Sequence, residues 1–213
     1  MDIVINNAGV VSGRAFCELD DRQIELTMAV NVMAPMWVTK AFLPAMMERD
    51  SGHIVTVASA TGLLGAPRLL DYCASKHASI GFMEALRVEL KRLGSSVCTT
   101  VICPGIIDTG MFDGATSSFP LARVLDPVRT CREALLMLRS IKKTDSGHTR
   151  QAYAATRFVD AVARREQQLL CPWFLRCGWL VKFLLPAALV DLLGGPTGVT
   201  HMMDNFVGHA KAA

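Results

Sequence analysis

The chain has 213 residues, is 51% hydrophobic and carries a formal net charge of +3. This length is enough for one domain with a sizeable core, and the small charge, without basic runs interleaved with aromatic residues, argues against nucleic-acid binding. Seven cysteines, none in a Cys-x-x-Cys pair, predict neither a disulfide framework nor a zinc site, and a reducing, cytosol-facing location follows. The five histidines show no metal-ligand spacing and are predicted at the surface or in loops.

Alternating strands and helices are predicted along the first half of the chain. Asp2–Asn6 is a short apolar segment typical of a buried strand, and it runs into a turn at Gly9. Helical periodicity spans Asp20–Asp50, within which Pro35 marks the first turn of a second helix. His53–Ala58 is β-branched and apolar, which indicates a buried parallel strand.

A long helix and another strand follow. Leu70–Leu93 is predicted to be helical, and Gly94 suits the position just past a helix end. Val97–Cys103 is a second buried strand, which Pro104 and Gly105 terminate. Strands that alternate with helices predict a parallel sheet in a doubly wound α/β fold.

The second half of the chain has a weaker pattern. Residues 113–127 indicate a loop, Arg129–Lys142 and Ala152–Gln167 predict helices, and Lys142–Arg150 is polar and exposed. Leu169–Gly195 is rich in Leu, Trp and Phe, but charged residues and a proline interrupt it before it reaches the ~18 apolar residues of a spanning helix. The stretch fits equally a segment at a bilayer interface and a helix packed on the sheet or on a second subunit.

Three side chains near the middle of the chain suggest proton-transfer chemistry. Tyr72 and Lys76 are four residues apart, which places both on one face of the predicted helix. An ammonium beside a phenol favours the phenolate, so we expect the pKa of Tyr72 to be lowered towards neutral pH. Ser59 ends the preceding strand, where parallel α/β sheets place their ligands. By itself such a pair is common on solvated helix faces.

These side chains belong to a larger ordered set. Asn6-Asn7-Ala8-Gly9 follows a strand, Asn31 lies in a helix, and Ser59 ends a strand thirteen residues before Tyr72-Cys73-Ala74-Ser75-Lys76. Pro104-Gly105 then ends the next strand, with Thr109 four residues beyond the glycine. This order and spacing closely resembles the short-chain dehydrogenase/reductase family over residues 1–112. The resemblance implies a Rossmann-like, three-layer α/β/α fold and NAD or NADP as cofactor.

The resemblance also implies a role for each residue. Tyr72 corresponds to the catalytic acid/base, and Lys76 to the residue that lowers the tyrosine pKa and binds the nicotinamide ribose. Ser59 corresponds to the residue that positions the substrate carbonyl, and Asn31 to the holder of a proton-relay water. The implied cofactor-binding residues are Tyr72 and Lys76 again, Asn7, Ala8 and Gly9 near the adenosine side, and Pro104, Gly105 and Thr109 along the nicotinamide, with Val57 and Ile107 lining the same pocket.

One motif of the family does not occur in this sequence. The glycine-rich turn that cradles the pyrophosphate, and the residue that selects NAD or NADP, are predicted to lie before Met1. The chain is therefore predicted to be a single, N-terminally truncated domain that lacks its first strands. Its expected parts are a conserved-type core (1–112), a substrate lid with an insertion (113–168) and an apolar C-terminal tail (169–213).

The tail resembles one branch of the family, the retinol and retinal dehydrogenases with the related membrane and lipid-droplet 17-beta-hydroxysteroid dehydrogenases. The matching stretches are Ala152–Trp173, Phe183–Pro186 and Met202–Phe206, together with Asp71-Tyr72-Cys73 and Met111-Phe112. The branch implies a lipophilic alcohol or carbonyl as substrate, with a retinoid first and a steroid or long-chain alcohol second. It also implies the endoplasmic reticulum membrane or a lipid droplet, facing the cytosol, and otherwise the cytoplasm.

Two further interpretations remain open. The family implies a homodimer in which the Leu70–Leu93 helix packs against a second subunit. The missing glycine-rich turn favours a catalytically inactive, truncated member that binds a membrane or a partner. The intact set Asn31, Ser59, Tyr72 and Lys76 favours the enzyme.

Overall fold

The computed structural model describes residues 1–107, 111–112, 115, 151–172, 175–186, 188–189 and 202–206. The predicted helix Arg129–Lys142, the predicted loop 113–127 apart from Ala115, and the polar segment before Gln151 lie outside these residues. In chain order the described elements are β1 (Ile3–Asn6), α1 (Asp21–Met28), α2 (Ala34–Glu48), β2 (His53–Val57), α3 (Leu70–Arg92), β3 (Cys98–Pro104), α4 (Gln151–Ala163), β4 (Gln168–Cys171) and α5 (Leu175–Leu184).

The sheet has four parallel strands in the order β1-β2-β3-β4, which confirms the predicted parallel α/β architecture. Ile3 pairs with His53, and Val101 pairs with Gln168 at the start of β4. Parallel neighbours need a crossover, and the helices between consecutive strands provide it. All four strands therefore end at one edge, called here the carboxyl edge, where such sheets bind ligands.

Apolar side chains project from both faces of the sheet. Ile54 on β2 packs with Met46 of α2 and Met83 of α3, whereas the next residue, Val55, packs with Ala161 of α4 on the other face. This alternation follows from the two-residue period of a strand. Helices on both faces give the predicted three layers.

The first strand has one uncovered face. Val4 is buried against the α2 and α3 side, whereas Ile3 and Ile5 are 45% and 57% exposed. Among the described residues, the helix on that side is α4, which packs against β3 and β4. The exposed isoleucines are thus the part of the sheet that the described helices do not cover.

The segment Asp20–Asp50 forms the two predicted helices. Asp20 begins α1 with a capping box closed by Gln23, and Pro35 lies in the first turn of α2, as predicted. The structure adds a π turn, Ala29–Met33, which joins α1 to α2. Such a turn widens the helix by one residue, and it is common at functional sites.

The predicted end of α3 is confirmed and that of α4 is corrected. Gly94 has a φ of 69°, and the N–H of Ser95 donates to the carbonyl of Leu90, which closes α3 as a left-handed glycine does. The sequence predicted α4 to reach Gln167, but the helix stops at Ala163 because Arg165 is left-handed, with a φ of 55°.

Two further predictions are wrong. Leu169–Cys171, assigned to an apolar tail, belongs to β4, which pairs with β3 through Ile102 and Pro104. Its short Leu-rich run merges with the apolar run after it, so periodicity does not separate them. His53, predicted at the surface or in a loop, lies buried in β2, and its Nε2 is 2.8 Å from the Thr100 hydroxyl.

Candidate active site

Tyr72 and Lys76 lie side by side on α3. Both are 4% exposed, and the Lys76 Nζ is 5.5 Å from the centroid of the Tyr72 ring. The lysine donates to the carbonyl of Val57, at the end of β2, over 3.0 Å. The predicted shared face is confirmed, and it is turned to the carboxyl edge of the sheet.

The pKa values of the pair reflect burial. Burial raises the pKa of Tyr72 to about 12, and a hydrogen bond with Ser59 acts in the opposite direction. Burial also lowers the pKa of Lys76 to about 8. The expected lowering of the tyrosine pKa is therefore wrong for these protein groups alone, because removing the phenolate from water outweighs its partners.

Ser59 lies two residues past the end of β2 and begins a single 3-10 turn, Ala60–Gly62. Its hydroxyl accepts hydrogen bonds from the N–H and the hydroxyl of Thr61, over 3.2 and 2.9 Å. Ser59 also forms the hydrogen bond with the Tyr72 side chain that opposes the rise in the tyrosine pKa. The structure thus brings the predicted serine to the predicted tyrosine.

Asn31 occupies the π turn between α1 and α2 and is 1% exposed. Its amide donates to the Val10 carbonyl and the Ser75 hydroxyl, both over 3.0 Å, and its Oδ1 accepts the Val10 N–H over 2.9 Å. The hydroxyl of Ser79 donates to the Asn31 backbone carbonyl over 3.0 Å. Asn31 therefore joins the loop after β1 to α3.

Gly9 lies where the loop after β1 passes closest to this group. A Cβ placed there would be 3.5 Å from both the Asn31 Oδ1 and the Lys76 Nζ. The glycine thus borders the space in front of the lysine. By contrast, Asn7 and Ala8 are exposed at the end of β1.

Three more predicted residues line the carboxyl edge, and one lies outside the described residues. Pro104 ends β3 and is buried, and the N–H of Gly105 donates to the Cys171 carbonyl over 2.7 Å. Ile107 is half-buried in an isolated bridge. Thr109 falls among the residues that are not described.

One buried carboxylate has a structural role at the site that the sequence did not predict. Asp71, 6% exposed, lies in the first turn of α3 and accepts hydrogen bonds from the hydroxyls of Ser12 and Thr27, over 2.9 and 2.8 Å. Helix N-termini favour negative charge, and both hydroxyls add to that effect. The carboxylate ties α1 and the loop after β1 to the residue before Tyr72. These segments are far apart in sequence, so the contacts of Asp71 can be seen only in the folded chain.

A buried cysteine thiol lies next to Ser59 and Lys76. Cys103 on β3 is 0% exposed and accepts a hydrogen bond from the Ser59 backbone. Burial raises the pKa of this thiol to about 12. Since the thiolate is the reactive form, Cys103 is a packing residue and not a nucleophile. The described residues contain no group of three potential metal ligands.

The other side of Tyr72 is apolar. Its ring meets that of Phe112 edge to face, with centroids 6.0 Å apart. Met202 and Met203, from the C-terminal part of the chain, are buried in the same cluster, with Phe206 packed against it. The Tyr72 hydroxyl therefore lies between the polar side chains of Ser59 and Lys76 and an apolar cluster.

Comparisons with known proteins identify the family to which this chain belongs. A sequence model described as short chain dehydrogenase matches residues 1–118. Epidermal retinol dehydrogenase 2 of Mus musculus is 37% identical over 213 residues, which cover 99% of this chain and 61% of the relative. Retinol dehydrogenase 10 of Rattus norvegicus is 47% identical over 214 residues, which cover 100% of this chain and 57% of the relative.

The solved structures show the same fold. A short-chain dehydrogenase/reductase from Burkholderia phymatum, crystallised in complex with NAD, superposes with a TM-score of 0.65 at 27% identity, over 91% of this chain and 67% of that one. The chain thus spans about three fifths of the length of the curated relatives it matches, at 61% and 57%.

Proposed function

Because this chain belongs to the short-chain dehydrogenase family, we propose that it transfers a hydride between NAD or NADP and a lipophilic alcohol or the corresponding carbonyl. The observation that carries the proposal is the convergence of Ser59, Tyr72 and Lys76 at the carboxyl edge, braced by Asn31. Tyr72 and Lys76 come from a helix, Ser59 follows the end of a strand, and Asn31 lies in a π turn. A chance occurrence of these residue types in the sequence would not bring all four together.

The lysine has the chemistry to hold a nicotinamide ribose. An ammonium has three N–H donors, and among the described residues Lys76 makes one hydrogen bond, to Val57. A buried donor without a partner is costly, so the remaining donors favour a ligand with hydroxyl groups. Gly9 lies beside the same Nζ, which would be 3.5 Å from a Cβ at that position. The bound nicotinamide would supply the hydride donor or acceptor.

The tyrosine would move the proton. With its pKa raised to about 12, Tyr72 is protonated at neutral pH and suited to give its proton to a carbonyl oxygen. Ser59, hydrogen-bonded to the same hydroxyl, would hold that oxygen in place. In the reverse direction Tyr72 would take the alcohol proton, which requires the phenolate to be stabilised by the nearby Lys76 ammonium. The relay water assigned to Asn31 stays a prediction.

We propose a retinoid as substrate, ahead of a steroid or a long-chain alcohol. Two relatives that carry the name retinol dehydrogenase are 37% and 47% identical to this chain. The apolar cluster beside Tyr72 suits a hydrocarbon substrate.

The first experiment titrates the chain with NADH and NADPH, followed by nicotinamide fluorescence, and then measures retinal reduction beside the variant Tyr72→Phe. We expect a dinucleotide to bind both proteins equally, within twofold, and turnover to fall by about 10²–10⁴ in the variant. The phenyl ring keeps the packing against Phe112 but has no proton to transfer. Wild-type turnover in Tyr72→Phe would refute the assignment of Tyr72.

A second candidate is a non-catalytic member that binds a membrane or lipid-droplet surface. The exposed apolar face of α5 favours it, since Leu180, Phe183 and Leu184 are 51%, 71% and 79% exposed beside Lys182. The continuous segment Asp21–Glu48 is also long and apolar enough to cross a bilayer, but core helices pass that test too. Flotation of the chain with phospholipid vesicles, together with no dinucleotide binding, would favour this candidate.

A further inference from the structure

We propose that the C-terminal segment Met202–Phe206 forms the wall of the substrate site that selects a long hydrocarbon; this rests on the proposed function and names the residues responsible. The wall is defined as Met202, Met203 and Phe206. Met202 and Met203 are 8% and 2% exposed, whereas Asp204 and Asn205, between them and Phe206, face solvent. The segment therefore turns its apolar side inward and its polar side outward.

The wall reaches the reacting tyrosine through a stack of rings. Phe112 lies edge to face on Tyr72, and its centroid is 6.4 Å from that of Phe206, with the rings tilted by 57°. Met202, Met203 and Tyr72 belong to the same buried cluster, against which Val11 packs. This cluster adjoins the Tyr72 hydroxyl and would offer an apolar surface to the hydrocarbon of a substrate whose oxygen is held by Tyr72 and Ser59.

A glycine in the loop after β1 leaves the space that the Phe206 ring of the wall occupies. Gly13 has a φ of +68°, and a Cβ built on it would lie 2.0 Å from the Phe206 ring. A side chain at this position would meet both a strained backbone and an occupied space. The position is buried although it lies in a loop. The close approach of Gly13 and Phe206 thus fixes the C-terminal segment against the loop that leads to Asn31.

The chemistry of the wall suits a flexible or irregular hydrocarbon. Methionine side chains adapt their shape to a ligand, and aromatic rings supply large apolar area at low entropic cost. The side chains that pack in this cluster are apolar apart from the Tyr72 hydroxyl and the Cys73 thiol. A short alcohol would touch Tyr72 and Ser59 but not extend to Phe206, so the wall would discriminate by length.

The test compares Phe206→Ala with Phe206→Leu and with Phe183→Ala, an exposed aromatic on α5 that serves as the matched control. All-trans-retinol binding is measured by equilibrium dialysis in the presence of NADH, which cannot oxidise it. Turnover of 1-butanol with NAD or NADP is measured on the same samples, and circular dichroism checks that each variant is folded.

We expect Phe206→Ala to weaken retinol binding about tenfold, as loss of a partly buried aromatic anchor does, while butanol turnover stays within twofold of wild type. Phe206→Leu restores most of the binding because it keeps apolar volume, and Phe183→Ala has no effect. Gly13→Ala, which displaces the ring, should weaken binding as Phe206→Ala does, with no further loss in the double variant.

Equal retinol binding by wild type and Phe206→Ala would overturn the wall and leave the proposed function standing. Equal losses for retinol binding and butanol turnover would also overturn it, since they would indicate a general structural role. A wild-type chain that neither binds retinol nor oxidises butanol would refute the proposed function itself, and the wall with it.

Discussion

Tyr72 separates two flanks that are held by different forces. On the polar flank, Asn31, Ser59 and Lys76 are fixed by hydrogen bonds of 2.9–3.2 Å to named partner atoms. On the apolar flank, Phe112 and Met203 are held by ring and aliphatic packing. A hydrogen bond requires a given atom at a given distance and angle, whereas packing requires only volume and shape.

These two kinds of interaction predict where the site should tolerate substitution. A substitution on the polar flank leaves buried donors and acceptors without partners, and that cost is not recovered by a residue of similar size. A substitution on the apolar flank is tolerated when it conserves volume. The polar flank is therefore expected to set the chemistry, and the apolar flank the choice of substrate.

The largest expected effect on stability is that of Asn31→Ala. It removes three hydrogen bonds of a buried amide, to Val10 and Ser75, and should lower the free energy of unfolding by about 3–5 kcal/mol. Urea unfolding measures it. The matched change on the apolar flank, Met203→Leu, conserves volume and should cost less than about 1.5 kcal/mol. Equal losses for the two variants would contradict the comparison.

The buried ammonium of the polar flank should make stability depend on pH. The pKa of Lys76 falls from 10.5 in the unfolded chain to about 8 in the folded one, so between these values the unfolded chain binds more protons. Stability therefore rises with pH through this window: the penalty of burying the charge is complete below about pH 8 and is gone above 10.5. At 1.36 kcal/mol per pH unit, its full size is roughly 3 kcal/mol.

Lys76→Met isolates this contribution. Both proteins share their other titrating groups, among them Tyr72, whose pKa of about 12 acts with the opposite sign above pH 10. The difference in unfolding free energy between wild type and Lys76→Met, measured from pH 7.5 to 10, should shift in favour of wild type as pH rises. A difference that stays constant would show that Lys76 is not desolvated in the folded chain.

A smaller effect should come from the turn that carries Ser59. A Cβ at Gly62 would lie 2.7 Å from the Lys76 backbone oxygen and 2.6 Å from Ile80 Cδ1, so Gly62→Ala must push the turn away from α3. We expect a loss of about 2 kcal/mol. Gly65→Ala, three residues on with nothing within 4 Å of its Cβ, should stay within about 0.5 kcal/mol. Thermal unfolding of both variants, with no difference between them, would contradict the close approach.

The residues around Tyr72 show what pattern alone could predict. The four-residue spacing of Tyr72 and Lys76 fixes their shared helix face, and the strand before Ser59 fixes its place at the carboxyl edge. The pKa of Tyr72 could not be read from this spacing, because burial depends on Phe112 and the C-terminal segment, which lie far away in sequence. Asp71, Ser12 and Thr27 likewise meet only in the folded chain.

The amino-acid sequence alone was enough to predict the parallel α/β fold, the bounds of β1, β2, β3 and α3 to within a residue or two, and the shared helix face of Tyr72 and Lys76. These follow from local periodicity and from motif spacing, which need no knowledge of distant contacts. Only the folded chain revealed the fourth strand, the pairing of His53 with the Thr100 hydroxyl, the π turn at Asn31 and the closure of the apolar flank by Phe206. Each of these depends on partners brought together by the sheet, and no local pattern records which distant segment will supply them.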